Sequence, residues 1–281
     1  MCRFVVYLGP EITVSSLVTE PSHSLIHQSF MSHEREEPLN GDGFGVAWYV
    51  HALSAAPAVF KDITPAWNNM NLLNVARVVK SDCILAHVRA ASSGLPVTQL
   101  NCHPFVWNDL AFMHNGDLGG FRELRRALIA RLSDEAFGWI KGSTDSEHIF
   151  ALFIDSYRAA PGEGASRLET AMRTTIDTLK DLRAGLGTTH DAFLNLAVTD
   201  GHSAVISRIA SDGECPESLY FIGGRQYDCV DGVCTMRPGS GSAVLVASEP
   251  LSRDEGWTPV PDNHLLTIDI RRQPRLSACS L

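Results

Sequence analysis

The sequence lacks a long apolar run. The longest near the start, FVVYL at 4–8, is too short for the core of a signal peptide and far too short to span a bilayer. A cytoplasmic protein is the expectation. Positive charge is also in deficit: Lys and Arg number 23 against 32 Asp and Glu, a net charge of −9. That balance disfavours nonspecific binding to nucleic acid or to an anionic membrane. An even cysteine set is missing too, since the seven are Cys2, Cys83, Cys102, Cys215, Cys229, Cys234 and Cys279. Without a signal peptide, an odd number argues against a disulfide framework. Cys229 and Cys234 have no second close pair to complete a zinc site. They are expected to be a local redox pair or two unrelated thiols. There is no dinucleotide fingerprint, because the glycines at 41, 43 and 45 are spaced G-x-G-x-G and lead into a strand rather than a helix. Repeats, low-complexity tracts and long linkers are absent as well, so residues 2–281 are expected to form a single domain.

What is present is an ordinary globular composition, 44% hydrophobic and 20% charged over 281 residues. RFVVYLG at 3–9 reads as a first strand stopped by Gly9-Pro10. Residues 11–37 are polar and read as loop with room for one short helix. The glycines of NGDGFGVAWYV let the backbone turn tightly beside something that needs the space, and a strand follows through Tyr49. AVFKD at 58–62 predicts a strand pairing back on it, and 71–80 has helical composition. CILAHVRA at 83–90 is strand-like, with His87 and Arg89 on one face and Ala86 and Val88 on the other. Leu110 to Met113 predicts another strand, broken at His114-Asn115-Gly116.

Phe121, Leu124, Leu128 and Leu132 recur at helical spacing with the arginines turned outward. Thr144 followed three residues later by Glu147 is a capping box, opening a helix with Ile149, Phe150, Phe153, Ile154 and Tyr157 on its buried side. After Pro161-Gly162 a third helix presents Leu168, Met172, Leu179 and Leu182. FLNLAVTD and SAVISRIA flank Gly201-His202 as a hairpin. LYFIGG, AVLVASEP and LLTIDIRR add strands. Strands, then helices, then strands predict an α+β fold of two sheets and two helical layers.

Five features carry chemistry. Removal of Met1 would leave Cys2 with a thiol and an α-amino group, which titrate near ~8.5 and ~7.7–8.0 respectively. Such a residue can supply its own base. By position alone, Cys2 reads rather as a small apolar residue opening a strand. Arg89 near a strand end needs an anion, either a structural carboxylate or a ligand. Asn115-Gly116 fits an oxyanion hole, and also a common turn. Asp145 in a first helical turn is favoured by the helix dipole with or without a ligand. His87, His103 and His114 read as packing or hydrogen-bonding residues rather than metal ligands. Together, a nucleophile, an oxyanion hole, one cation and one anion make a kit for an amino-acid-like γ-glutamyl amide.

The ordered series Met-Cys-Arg-Phe, NGDGFGVAWY, AHVRAAS, NCHPF, FMHNGD, GSTDSE and SEPL resembles the class II glutamine amidotransferases, from Cys2 to about Leu251. Within them, PSHSLIHQSF and ITPAWNNMNL look closest to the stand-alone amidotransferase-like subunit of yeast-type cytosolic glutathione degradation. A related branch comprises the γ-glutamyl hydrolases of ergothioneine biosynthesis. The resemblance implies a four-layer αββα sandwich of N-terminal-nucleophile hydrolase type. It implies Cys2 as nucleophile, Asn115 and Gly116 as oxyanion hole, Arg89 on the substrate α-carboxylate, Asp145 on its α-amino group, and Ser92 as a further contact. Neither a metal nor an organic cofactor is implied. The expected partners are a γ-glutamyl small molecule and a peptidase-like subunit. A glutaminase subunit feeding a separate synthase and a catalytically silent scaffold are the alternatives. In one departure, the glycine loop reads Leu39-Asn40-Gly41-Asp42 where many members carry an arginine, and Asn40 cannot supply that charge.

Overall fold

The computed structural model describes residues 2–34, 39–91, 96–230, 233–237 and 242–281. Its central strand, β1 (Arg3–Thr13), is buried on both faces over its first seven residues. Phe4, Val6 and Leu8 pack to one side, and Val5 and Tyr7 to the other. The strand does not stop at Gly9-Pro10. Its register with the neighbouring strand β4 (Lys80–Val88) shifts between Leu8 and Ile12. Pro10 therefore sits in an irregularity of the ladder, where a missing N–H is tolerated.

Around β1 a first sheet adds β2 (Phe44–Trp48), β3 (Ala58–Asp62), β9 (Tyr220–Val230), β10 (Val233–Arg237), β11 (Ala243–Ala247) and β12 (Thr258–Pro259). Its order is β10-β9-β11-β1-β4-β2-β3, with β12 on β9. The second sheet comprises β5 (Phe105–Trp107), β6 (Leu110–Leu118), β7 (Ala192–Thr199), β8 (Ala204–Ala210), β13 (His264–Ile268) and β14 (Pro274–Ala278), ordered β14-β13-β8-β7-β6-β5. Phe4, Val6, Leu85, Met113, Ile206 and Val246 fill the space between the sheets.

Short helices α1 (Ser15–Val18), α2 (Leu25–Gln28) and α3 (Met70–Ala76) cover the outer face of the first sheet through Leu17, Leu25 and Leu72. The second sheet is covered by α4 (Phe121–Ile129), α5 (Asp134–Trp139), α6 (Asp145–Ala159) and α7 (Gly164–Leu186). There Leu124, Phe150, Phe153, Met172 and Leu179 pack on Phe112 and Leu194. The layers stack helix, sheet, sheet, helix, which is the αββα sandwich expected. Among the described residues no helix is long and apolar enough to cross a membrane.

Several local expectations change. β6 runs straight through His114-Asn115-Gly116, pairing Asn115 with Asn195 and Gly116 with Leu194. The turn preference of Asn-Gly loses to the ladder with β7. Glycine is required for that pairing, since a Cβ at Gly116 would lie 1.8 Å from the Phe193 carbonyl oxygen, at φ +154°. Among the described residues of the region 11–37 there are two short helices rather than one, and the helix expected over 71–80 ends at Ala76 because Lys80 already opens β4. Cys229 and Cys234 face each other across β9 and β10 and form a disulfide. Only half of the capping box forms. Thr144 Oγ1 accepts from the Glu147 amide at 3.2 Å, but Glu147 reaches back to the amides of Lys141 and Gly142, at 2.7 and 2.6 Å.

Candidate active site

Strand alternation places the sequence-predicted residues. Arg3 pairs with Val88 and Phe4 with His87, so Cys2 lies opposite the strand end that carries Arg89. Phe4 and Leu85 face the space between the sheets, and Cys2, His87 and Arg89 follow the same alternation. The Cys2 thiol is buried and donates to the Ala90 carbonyl at 3.6 Å. On β6, Ala111 and Met113 face the same space, which turns Asn115 toward it. His87 Nε2 donates to the His114 carbonyl at 3.1 Å, joining β4 to β6 beside Asn115. The structure thus gathers Cys2, Arg89 and Asn115-Gly116 at one end of the inter-sheet space.

Arg89 is 3% exposed, yet among the described residues it has no carboxylate partner. Its side chain makes one long contact, 3.5 Å to the Asp42 carbonyl. The Asp42 carboxylate is engaged elsewhere, accepting from the Ala91 amide at 2.8 Å. Among the described residues a structural salt bridge, one reading of this arginine, is not formed. A buried guanidinium without a protein anion suits a planar anionic ligand. Asn115 presents a matching case. It is fully buried, and neither its Oδ1 nor its Nδ2 bonds to the protein. A buried amide left without partners costs free energy unless a ligand supplies them.

Asp145 is held differently. Its Oδ2 accepts from the Leu118 amide and its Oδ1 from the Ser146 amide, both at 2.7 Å. These bonds tie the start of α6 to the end of β6, two residues past Gly116. Among the described residues Asp145 and Arg89 form no ion pair. Burial pushes the Asp117 carboxyl up, and the Asp145 charge adds to the effect. Ser92 lies outside the described residues.

The histidines pack and brace. His114 joins Ser146 Oγ at 2.9 Å and the Phe193 carbonyl at 3.0 Å. Burial pushes His87 down to about 3 and His103 well below its ordinary value, so both rings are neutral. The Cys102 thiol is pushed up by burial, with Arg89 and Lys61 opposing and Cys2 close enough to add to the rise. It is thus a poor competitor for the role of nucleophile. Gly43 passes this thiol at φ +115°, and a Cβ there would meet Cys102 Sγ at 2.7 Å. Asn40 is buried, its amide donating to the Ser29 carbonyl at 2.7 Å.

One device escapes sequence reading. Arg3 is fully buried, and its guanidinium donates through Nε to Glu249 Oε1 at 2.9 Å, through Nη1 to the Cys2 carbonyl at 3.0 Å, and through Nη2 to Ser32 Oγ at 3.1 Å. Glu249 also accepts from the Ser32 hydroxyl, from His23 Nε2 at 2.8 Å and from the His33 amide at 2.9 Å. Burial would raise this carboxyl, but the bonds from His23, Ser32 and His33 and the Arg3 charge together hold it well below the usual range. The backbone carbonyl of Cys2 is thereby anchored to a buried ion pair. The only signals were Arg3 in Met-Cys-Arg-Phe and Glu249 in SEPL, 246 residues apart. A cleft of about 390 Å³ opens beside Glu249, lined by His23, His27, His33, Glu34 and Arg253 among others.

Residues 14–213 match the family described as glutamine amidotransferases class-II, a span that begins after Cys2. The chain is 41% identical to the probable glutamine amidotransferase DUG3 of Saccharomyces cerevisiae, covering 95% of this chain and 82% of that one. It is 27% identical to the gamma-glutamyl-hercynylcysteine sulfoxide hydrolase of Mycobacterium tuberculosis, over 95% and 93% of the two chains. A solved structure of a glutamine aminotransferase class-II domain protein from Silicibacter pomeroyi superposes with a TM-score of 0.68 at 28% identity, covering 100% of both chains. On this evidence the chain belongs to the class II glutamine amidotransferase family.

Proposed function

We propose that the chain hydrolyses the γ-glutamyl amide bond of glutathione or a related thiol-bearing γ-glutamyl compound, with Cys2 as nucleophile. Family membership and the γ-glutamyl hydrolase relatives make it an enzyme of γ-glutamyl amide hydrolysis or transfer. The substrate, the residue roles and the single-domain organisation of 2–281 are this reading's own.

Once Met1 is removed, the Cys2 amine takes the thiol proton, directly or through a water. The sulfur bonds to the γ-carbonyl carbon, and the carbonyl oxygen becomes an oxyanion held by the Asn115 side-chain amide and the Gly116 N–H. The C–N bond breaks, and the leaving amine carries away the proton. Water then cleaves the thioester and releases glutamate. Arg89 holds the α-carboxylate and Asp145 the α-ammonium, with Ser92 as a further contact. These steps use neither a metal nor an organic cofactor. The observation that carries the reading is Arg89, a buried cation without a carboxylate partner among the described residues, on the strand end opposite Cys2. A cytoplasmic setting and a peptidase-like partner that takes up the released thiol peptide complete the proposal.

The test is release of glutamate from glutathione, a γ-glutamyl ergothioneine precursor and glutamine, each with purified protein. Faster release from the thiol compounds than from glutamine is expected. A preference for glutamine would overturn the substrate assignment and favour an ammonia-supplying subunit.

A further inference from the structure

Beside the Arg3–Glu249 pair, the imidazoles of His23 and His33 converge on one carboxylate in the 390 Å³ cleft, which His27 also lines. His23 Nε2 lies 2.8 Å from Glu249 Oε2, and His23 Nδ1 lies 3.3 Å from His27 Nδ1. The His33 ring stacks flat on His23, with centroids 4.0 Å apart. One donor atom from each of His23, His33 and Glu249 lies within 4.8 Å of the other two. We propose that His23, His33 and Glu249 bind a divalent cation of the zinc class.

Metal–ligand distances of about 2.0–2.2 Å place neighbouring ligands of a tetrahedral ion about 3.4 Å apart. No pair among His23, His33 and Glu249 needs to close by more than about 1.5 Å to reach it. Two imidazoles with one carboxylate suit zinc, cobalt, nickel or copper, whereas calcium and magnesium prefer oxygen-only shells. Glu249 is pre-set for the task. Its Oε1 is fixed by Arg3 Nε, which orients Oε2 toward the imidazoles. His33 is exposed and the cleft is open on that side, which gives the ion a route in. The other cluster of possible ligands, Glu20 with Cys229 and Cys234, has both sulfurs engaged in a disulfide.

The site stands independently of the acyl-transfer reading, so its test reads metal binding rather than activity. The full chain, stripped with chelator, is titrated with zinc chloride by calorimetry and with Co²⁺ by visible absorption. One zinc per chain is expected, with a Co²⁺ ligand-field band and no thiolate charge-transfer band. His33→Gln and His23→Gln should each weaken zinc binding at least about 100-fold, given that even outer partners of metal sites are worth 10–100-fold. His33 is the cleaner variant because its contact with Glu249 is through the backbone amide. No binding, binding by H33Q equal to wild type, or a thiolate charge-transfer band would each overturn the proposal.

Discussion

Replacing Glu249 by Gln tests the buried anchor under Cys2. Glu249 and Arg3 have side chains 1% and 0% exposed, so solvent does not screen the pair. The carboxylate accepts from Arg3 Nε and Ser32 at one oxygen, and from His23 Nε2 and the His33 amide at the other. A glutamine offers one acceptor oxygen and one donor NH₂. Whichever way it turns, the NH₂ faces donors, and Arg3 loses its hydrogen-bonded counter-ion, keeping the more distant Glu217 carboxylate at 3.9 Å. Hydrogen bonds to charged groups are worth about 1.5–3 kcal/mol each. Losing two of them matches the roughly 3–5 kcal/mol expected when one partner of a buried ion pair is removed. Urea unfolding of E249Q against wild type should show that loss. With Arg3 no longer fixed, the Cys2 carbonyl loses its anchor, and kcat for glutamate release should fall with KM little changed. A variant within 1 kcal/mol of wild type and with unchanged kcat would refute the reasoning.

Other outcomes follow from the same geometry. Asn115→Ala removes an oxyanion donor and should lower turnover by about 10²–10³. Because that amide makes no bond to the protein, its removal should leave the urea midpoint unchanged or higher; a large stability loss would show that Asn115 is structural. Arg89→Lys keeps the charge but loses the planar fork, and should chiefly raise KM; unchanged KM would release Arg89 from its role. His87 and His103 are held below their ordinary value of 6.5 by burial, so they stay neutral in the native state while the unfolded chain protonates. Stability is then full above about 6.5 and falls as pH drops, by up to about 1.4 kcal/mol per pH unit for each imidazole. Urea midpoints between pH 7.5 and 5 should decline accordingly, and a flat profile would contradict the neutral, buried rings.

Much of the fold was legible because burial writes itself into local pattern. The stripe Ile149, Phe150, Phe153, Ile154 and Tyr157 marks a helix, although α6 is buried well beyond that stripe, at Ser146, Ala151 and Leu152 as well, and CILAHV could only be a buried strand. The strand is expected to break at His114-Asn115-Gly116 because the local turn preference of Asn-Gly is strong and the competing ladder lies about 80 residues downstream, at Leu194 and Asn195. Taken singly, Cys2, Arg89 and Asn115 each have an ordinary structural reading; only the set of a thiol, a cation near a strand end and a side-chain amide suggests one kind of substrate, and the proposed roles rest on that set. The Arg3–Glu249 pair was not readable. Arginine at the start of a strand and glutamate at the end of another are ordinary surface residues until β1 and β11 pair, and only then are both buried. His23, His27 and His33 stayed hidden for a similar reason: they lie in a polar stretch read as loop, and their convergence depends on α2 folding against Glu249.

The central claim is that Cys2 is the attacking group on a γ-glutamyl amide. Intact-mass and peptide spectrometry of the purified chain after exposure to diazo-oxo-norleucine, a glutamine-mimicking electrophile, tests it most directly. The expected result is a chain without Met1, carrying one adduct on Cys2, with glutamate release lost in step with labelling and absent from Cys2→Ala. An unlabelled Cys2, or a C2A protein releasing glutamate at the wild-type rate, would contradict it.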